Sequence, residues 1–600
     1  MDAVAPGAWL ENSGMVRFRL WAPAHSAVSV QIEGRADPIP AINKGGGWFE
    51  LRTDCATAGS RYRYVFEDGT AIPDPASRFQ PDDVNGASEV IDPDVHDWHV
   101  TNWQGRAWHE AVIYELHVGA FTPEGTFRAA IDKLDHLVRL GITAIELMPI
   151  ADFAGRRNWG YDGTFLYAPD ASYGRPEDLK ALVDAAHQRG LMVFLDVVYN
   201  HFGPEGNYLG VCAPQFFTQR HHTPWGAAVN YDGGLSEVRS FMIQNARYWI
   251  EEFRFDGLRL DAVHWILDES PEHFLHELAK QIHERVPHRF VHLILENEEN
   301  EAELLERDAE GHPRLYTAQW NDDVHHTLHV AVTGERDGYY QDYQGDTHAL
   351  ARALAEGFAF QGEVMEYRGS TRGTRSTHLP PSAFVAFLQN HDQIGNRAFG
   401  DRLGVLSDKR QHRAVAAIHL LLPQIPMLFM GEEWNTGRPF PFFCDFSGEL
   451  ADAVRKGRRD EFAEFPHFRD PASRERIPDP LAESTFLAAK LDWDALNDER
   501  HAEWMNWYRE LLATRKRWLT PRLTEITHAG HATILGDQAV TVVWSLDGEQ
   551  WRLDANLSQN AEQVADTTGQ IIWLEGEEVR NGSLPPWTVR WMLVPGELRS

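Results

Sequence analysis

Cysteine is nearly absent, with only Cys55, Cys212 and Cys444 in 600 residues. An odd number so widely spaced gives no disulfide framework and no metal-ligand pattern. Positive charge is also short. Lys plus Arg number 56 against 89 Asp plus Glu, a net charge of −33. Such a surface argues against a nucleic-acid or anionic-membrane partner and suits a neutral ligand. No apolar run is long enough to span a bilayer. The opening Met1-Asp-Ala-Val-Ala-Pro-Gly7 has neither the basic nor the apolar stretch of a secretory leader, so a cytoplasmic protein is expected. Internal repeats and low-complexity segments are absent as well.

What is there reads as ordinary globular protein, 43% hydrophobic and 24% charged, and too long for one core. Residues 1–102 carry period-two strand patterns at Val16–Trp21, Ala27–Ile32 and Arg61–Phe66, which predict an N-terminal β-sandwich. The Pro/Asp-rich segment Ile72–Asp97 reads as an extended linker packed on a neighbour. Residues 521–600 hold further strand patterns and predict a small C-terminal β domain. Tryptophan is plentiful at 21 residues. Most of these belong in cores, although sugars stack their C–H faces on such rings.

Between them, residues 103–520 alternate strand and helix. Continuous apolar runs occur at Val112–Leu116, Ala144–Met148, Leu191–Val198, Gly257–His264, Val291–Glu296, Leu315–Trp320, Phe384–Leu388 and Pro426–Met430. Continuity means burial on both faces, hence a parallel sheet. Eight such units in this length predict an α/β fold of the (β/α)8 TIM-barrel type with insertions. No Gly-x-Gly-x-x-Gly follows the first of these strands, which counts against dinucleotide binding, and no cofactor is expected.

Four of the strands end in residues that a core would not select: Asp196-Val-Val-Tyr-Asn200-His201, Arg259-Leu-Asp261-Ala-Val-His264, Glu296-Asn297 and Gln389-Asn390-His391-Asp392-Gln393. Arg259 and Asp261, two apart, share a strand face and can pair. Taken alone, that is as compatible with a buried structural ion pair as with catalysis. In a barrel, though, strand C-termini meet at one rim, where three carboxylates, Asp261, Glu296 and Asp392, would converge. Such a group either binds a cation or performs acid–base and nucleophilic chemistry. Arg259 beside Asp261 would repel a cation, so no metal is expected. Glycoside hydrolysis by two carboxylates fits better.

Together these stretches resemble the α-amylase family of glycoside hydrolases. The likeness implies Asp261 as nucleophile, Glu296 as general acid/base and Asp392 as transition-state stabiliser. It also implies that Arg259 keeps Asp261 ionised, that His201, His264 and His391 face the sugar, and that Tyr161, in Trp159-Gly-Tyr-Asp-Gly163, is a stacking platform. Asp196 and Asn200 are expected to hold the rim together. Within the family, Trp21-Ala-Pro-Ala24 resembles the N-terminal sandwich of branching, debranching and trehalose-releasing members. Gln319–His326, Leu328–Gly334 and Phe387–Arg397 resemble loops of the trehalose-releasing ones, which would make Asp322, Asp323, His325, His326, Gln393 and Asn396 substrate contacts. The bland alternative is a solvated polar loop. The expectation is hydrolysis of an α-1,4 bond beside a terminal trehalose, with an oligosaccharide as the partner. Glucan branching is the nearest rival, and a non-catalytic glycan-binding protein the rival of another class.

Overall fold

The computed structural model describes residues 5–464 and 468–596. At its centre, eight parallel strands close into a barrel in chain order: Ile113–Leu116, Ala144–Leu147, Met192–Val197, Gly257–Leu260, His292–Leu295, Ala318–Trp320, Phe384–Phe387 and Ile425–Phe429. The last pairs with the first, Met427 beside Ile113. Period-two alternation sorts their side chains. Ile113, Ala144, Met192, Phe194, Ile294, Ala318, Trp320, Val385, Phe387 and Met427 fill the interior as one apolar cluster. The intervening Ile145, Leu147, Val193, Leu195, Leu258 and Leu293 belong to the core that the surrounding helices share. Two residues beyond the interior apolar positions, the same alternation puts Glu115, Glu146 and Asp196 on the inner surface. Arg259 sits beside Asp196 in register.

The N-terminal region forms two antiparallel sheets, one with Val16–Trp21 and Trp48–Thr53 at its centre, the other with Val28–Ile32 and Arg61–Phe66. Phe18 of one meets Tyr62 of the other edge-on, their rings 4.7 Å apart, which makes the pair a sandwich. At the other end, His531–Gly536, Ala539–Ser545, Glu549–Asn556, Thr588–Pro595 and Gln570–Glu575 make one five-stranded sheet. Two indoles fasten it to the barrel helix Lys409–Leu421: Trp591 Nε1 donates to Ala417 O (2.9 Å) and Trp551 Nε1 to Leu421 O (3.2 Å).

Three local features differ from expectation. The spacing of Phe127, Ile131, Leu134 and Val138 predicts one helix, capped by Thr126 and stopped by Gly141, and the structure makes it two, Phe127–Ile131 and Leu134–Leu140. Its ends are as expected, with Thr126 Oγ1 accepting from Ala129 N–H and Gly141 at φ 111°. The strand predicted over Gly257–His264 stops at Leu260, because Ala262 takes the left-handed conformation, φ 39°. Before the break at Pro521 the sequence predicts a helix over Ala502–Trp518, and the structure shows Glu499–Thr514 followed by a π turn at Arg515–Leu519. There the Arg515 guanidinium satisfies the carbonyls of Leu420, Leu422 and Gln424, the end of a neighbouring helix. Among the described residues, no helix is long and apolar enough to cross a membrane.

Candidate active site

Arg259 is fully buried at the top of the fourth barrel strand, where water cannot solvate it, so its charge must be met by protein. Three carboxylates do so. Nη1 lies 2.7 Å from Asp196 Oδ2 and 3.0 Å from Asp261 Oδ1, and Nη2 lies 2.8 Å from Glu296 Oε2. The indole of Trp320 on the sixth strand supports the guanidinium from below at 4.0 Å. One guanidinium therefore pairs with both carboxyls expected to do the chemistry, by a hydrogen bond from Nη1 to Asp261 and by charge from Nη2 to Glu296.

The kink after the strand does the rest. A non-glycine residue at positive φ is strained, and here the strain turns Ala262 N–H onto Glu296 Oε2 at 2.8 Å. Val263 N–H meets Glu296 O at 3.0 Å. Asn200 Nδ2 donates to both Asp261 Oδ2 (2.8 Å) and Asp261 O (2.7 Å). Asp261 and Glu296 are electrostatically linked. Burial pushes Asp261 well up, and the charge of Glu296 adds to it. Burial presses Glu296 upward too, but Arg259 and the Ala262 N–H outweigh it and hold that carboxyl below its ordinary range.

Asp392 stands across the rim, its side chain one-third exposed. Its neighbour His391 is buried, with Nδ1 2.5 Å from Glu115 Oε1 on the first strand and Nε2 3.4 Å from Asp392 Oδ2. Burial lowers the affinity of His391 for its proton, yet Asp392 and Glu115 together raise it to about 9. Asp392 is itself pushed up, by burial first and by Glu296. Tyr161 stacks on His391 with rings 5.0 Å apart and donates its hydroxyl to Asp196 Oδ2 at 2.6 Å. That leaves Tyr161 a fixed, partly exposed aromatic face at the rim. His201 engages both ring nitrogens with protein, Nε2 with Tyr161 O at 2.9 Å and Nδ1 with Asn200 Oδ1. It braces the Tyr161 loop, and its outer face carries the exposed Trp225, stacked at 4.3 Å. His264 sits beside Glu298, its Nε2 3.6 Å from the carboxylate.

The stretch from Asp322 begins a helix, Asp322–Thr333, whose first turn enters the rim. Asp322 Oδ1 accepts from Gln393 Nε2 at 3.1 Å, and Asn396 Nδ2 lies 3.4 Å from Asp392 Oδ1. Burial, then the charge of Glu296, pushes Asp322 up to about 8. The expectation of sugar contacts at Asp323 and His325 gives way to a structural role for both. Asp323 is wholly buried and receives Arg372 Nη1 (2.7 Å), Tyr343 OH (2.5 Å), Ala359 N–H (2.7 Å) and Asn300 Nδ2 (3.2 Å). No oxygen is left for a ligand. His325 spends Nδ1 on Leu388 O and Nε2 on Tyr340 OH. His326 packs against Tyr343, rings 4.8 Å apart, with a buried Nδ1 that has no hydrogen-bond partner among the described residues.

Sequence reasoning missed Glu115, Glu146 and Trp320 as parts of the site. The signal was present for the two acids, since a glutamate inside the apolar runs at Val112–Leu116 and Ala144–Met148 is a charge where a core excludes one. It also missed the hairpin Phe217–Thr223 with Gly226–Val229, which presents Trp225. At its base, His221, Asp232 and Glu269 come close enough to hold a cation. Arg220 already supplies the positive charge, 3.2 Å from Asp232 and 2.6 Å from Glu269.

A closed parallel barrel with paired acids on one arginine at its strand C-termini defines an α-amylase-type glycoside hydrolase. Comparison with known proteins agrees. Residues 76–220 match the family model described as alpha amylase, catalytic domain, and residues 527–591 that of a Domain of unknown function (DUF3459). A malto-oligosyltrehalose trehalohydrolase of Deinococcus radiodurans is 44% identical over 553 residues, 90% of this chain and 88% of that one. Another from Saccharolobus solfataricus is 41% identical over 515 residues, 85% and 87% of the two chains. A crystal structure of a Salmonella typhimurium protein superposes with TM-score 0.94 at 44% identity, covering 99% of this chain and 100% of its own. A 1,4-alpha-glucan branching enzyme of Corynebacterium jeikeium matches only 43% of this chain, at 34% identity. The chain belongs to the malto-oligosyltrehalose trehalohydrolase family.

Proposed function

We propose that this chain is a retaining glycoside hydrolase, working in the cytoplasm, that cleaves the α-1,4-glucosidic bond next to the terminal trehalose of maltooligosyltrehalose. The products are trehalose and a shortened maltooligosaccharide. The observation that carries the chemistry is the Arg259 fork, which holds Asp261 and Glu296 on one cation. Asp261 attacks the anomeric carbon, while Glu296 protonates the departing trehalose oxygen and then takes a proton from the attacking water. Glu296 carries the proton when it acts as the acid, and Asp261 is free of it when it attacks, the shared Arg259 charge favouring whichever carboxyl is ionised. Asp392, beside His391, grips hydroxyls as charge develops on the ring. Tyr161, His264, Asp322, His326, Gln393 and Asn396 line the rim that holds the sugar, and no metal or cofactor takes part. The flanking β units, to about residue 102 and from about residue 521, bracket the catalytic barrel.

Preference for trehalose over a plain glucan end is supported by the likeness to relatives named for that activity and by the polar rim at Asp322, Gln393 and Asn396. The test is incubation with maltooligosyltrehalose and with the maltooligosaccharide of equal length, followed by product chromatography. Trehalose is expected as the dominant early product of the first. New α-1,6 linkages in place of trehalose would move the chain to branching, and no turnover of either would make it a glycan-binding protein.

A further inference from the structure

Beneath the catalytic carboxyls lies an acid that the mechanism does not use. Glu146, on the second barrel strand, points into the barrel, is 1% exposed, and has no hydrogen-bond partner at either carboxyl oxygen among the described residues. The groups facing it are Glu115 and Asp196 from the strands on either side, Arg259 from the fourth strand and His391 from the loop after the seventh. Glu115 is its register partner. Both neighbouring carboxylates are already committed. Glu115 takes His391 N–H at 3.1 Å and Nδ1 at 2.5 Å, and Asp196 takes Arg259 at 2.7 Å and Tyr161 OH at 2.6 Å. The two cations are thus spoken for.

We propose that Glu146 is an uncharged carboxylic acid set under the catalytic centre, and that by staying uncharged it keeps Arg259 directed at Asp261 and Glu296. An ionised carboxylate with no donor, walled in and flanked by two like charges, is the costliest way to bury this group. A neutral acid avoids most of that cost. The electrostatics agree, since burial first, then Glu115 and Asp196, push its carboxyl far up. The functional consequence comes through Arg259. That guanidinium is shared among three carboxylates, and a fourth negative charge below it would draw it down the barrel, away from the two that react. Glu146 is a positioning residue and touches no substrate.

The experiment uses the full chain and its Glu146→Gln variant, with Glu146→Met, of nearly equal length and equally unable to ionise, as a second form should the first fold poorly. Difference infrared spectra at neutral pH, wild type minus variant, are expected to show the C=O stretch of a protonated acid, downshifted in D2O. Symmetric and antisymmetric carboxylate bands in its place would overturn the proposal. This arm does not depend on the assigned reaction. The second arm does: the ratio of variant to wild-type kcat/KM is followed upward from pH 6 through the pH at which the wild-type acid band is lost. Groups common to both enzymes cancel in that ratio. It should rise as the band disappears, one proton allowing up to about tenfold per pH unit, because only the wild type can acquire the extra charge. A ratio that stays flat through the loss of the band would reduce Glu146 to core filling and overturn the positioning role.

Discussion

At the scale of single residues, the charge on His391 and the proton on Asp322 lead to measurable consequences. His391 is a buried cation clamped between Glu115 and Asp392. Its folded-state value of about 9 lies above the ordinary 6.5, so protonation stabilises the fold fully below about pH 6.5. That stabilisation, about 3 kcal/mol for such a rise, is lost as the pH climbs through 9. The stability gap between wild type and His391→Gln, measured by denaturant unfolding, should be largest in mild acid and close towards pH 9.5. A gap that grows with pH would show that His391 is not held as a cation. Asp322, raised to about 8, keeps a proton at neutral pH and can donate it to a hydroxyl. Asp322→Ala should lower kcat/KM for maltooligosyltrehalose by about 5- to 150-fold, the loss of one well-made polar contact worth about 1–3 kcal/mol. The loss on an equal-length maltooligosaccharide should be smaller, and Asp322→Asn, which retains a neutral donor, should fall between. Equal losses on both substrates would mean that Asp322 does not read trehalose.

At the scale of elements, the helix Asp322–Thr333 separates two aspartates that look alike in sequence. One step along a helix turns a side chain by about 100°. Asp322 consequently faces the rim, while Asp323 faces inward to bind Arg372, Tyr343 and the Ala359 N–H. Asp323→Ala would strand the buried Arg372, at a cost of about 3–5 kcal/mol. It should lower the thermal midpoint and reduce activity on both substrates alike. Selective loss on maltooligosyltrehalose with unchanged stability would contradict this. The same helix shows why sequence reading erred here, because adjacent Asp and His at a rim carry no mark of which way each one turns. The barrel strands were legible for the opposite reason. Burial on both faces leaves a continuous apolar run, and the polar residues closing Met192–Val197, Gly257–Leu260 and His292–Leu295 stood out against it. Glu549–Asn556 carries no legible strand pattern, because this central strand is written Glu-Gln-Trp-Arg-Leu-Asp-Ala-Asn. Its buried Asp554 is balanced by Arg552 (2.9 Å) and Arg590 (2.7 Å), a pairing visible only once the strands are aligned. The hairpin carrying Trp225 was hidden likewise, its strands being short and half polar.

At the scale of the whole molecule, a barrel built from apolar alternation gives way at its upper end to a layer of charge. Glu115, Glu146, Asp196 and Arg259 succeed one another on the first four strands, and the reacting carboxyls stand on top of them. The account therefore joins two claims: that Asp261 and Glu296 act by double displacement, and that the bond they cut lies next to trehalose. Both are read in one experiment, proton NMR of maltooligosyltrehalose hydrolysis followed from the first turnovers. The account predicts that trehalose signals and an α-configured reducing end grow together, before mutarotation brings in the β form. A reducing end that first appears as β would contradict the assignment of Asp261 as nucleophile, and glucose or maltose without trehalose would contradict the bond.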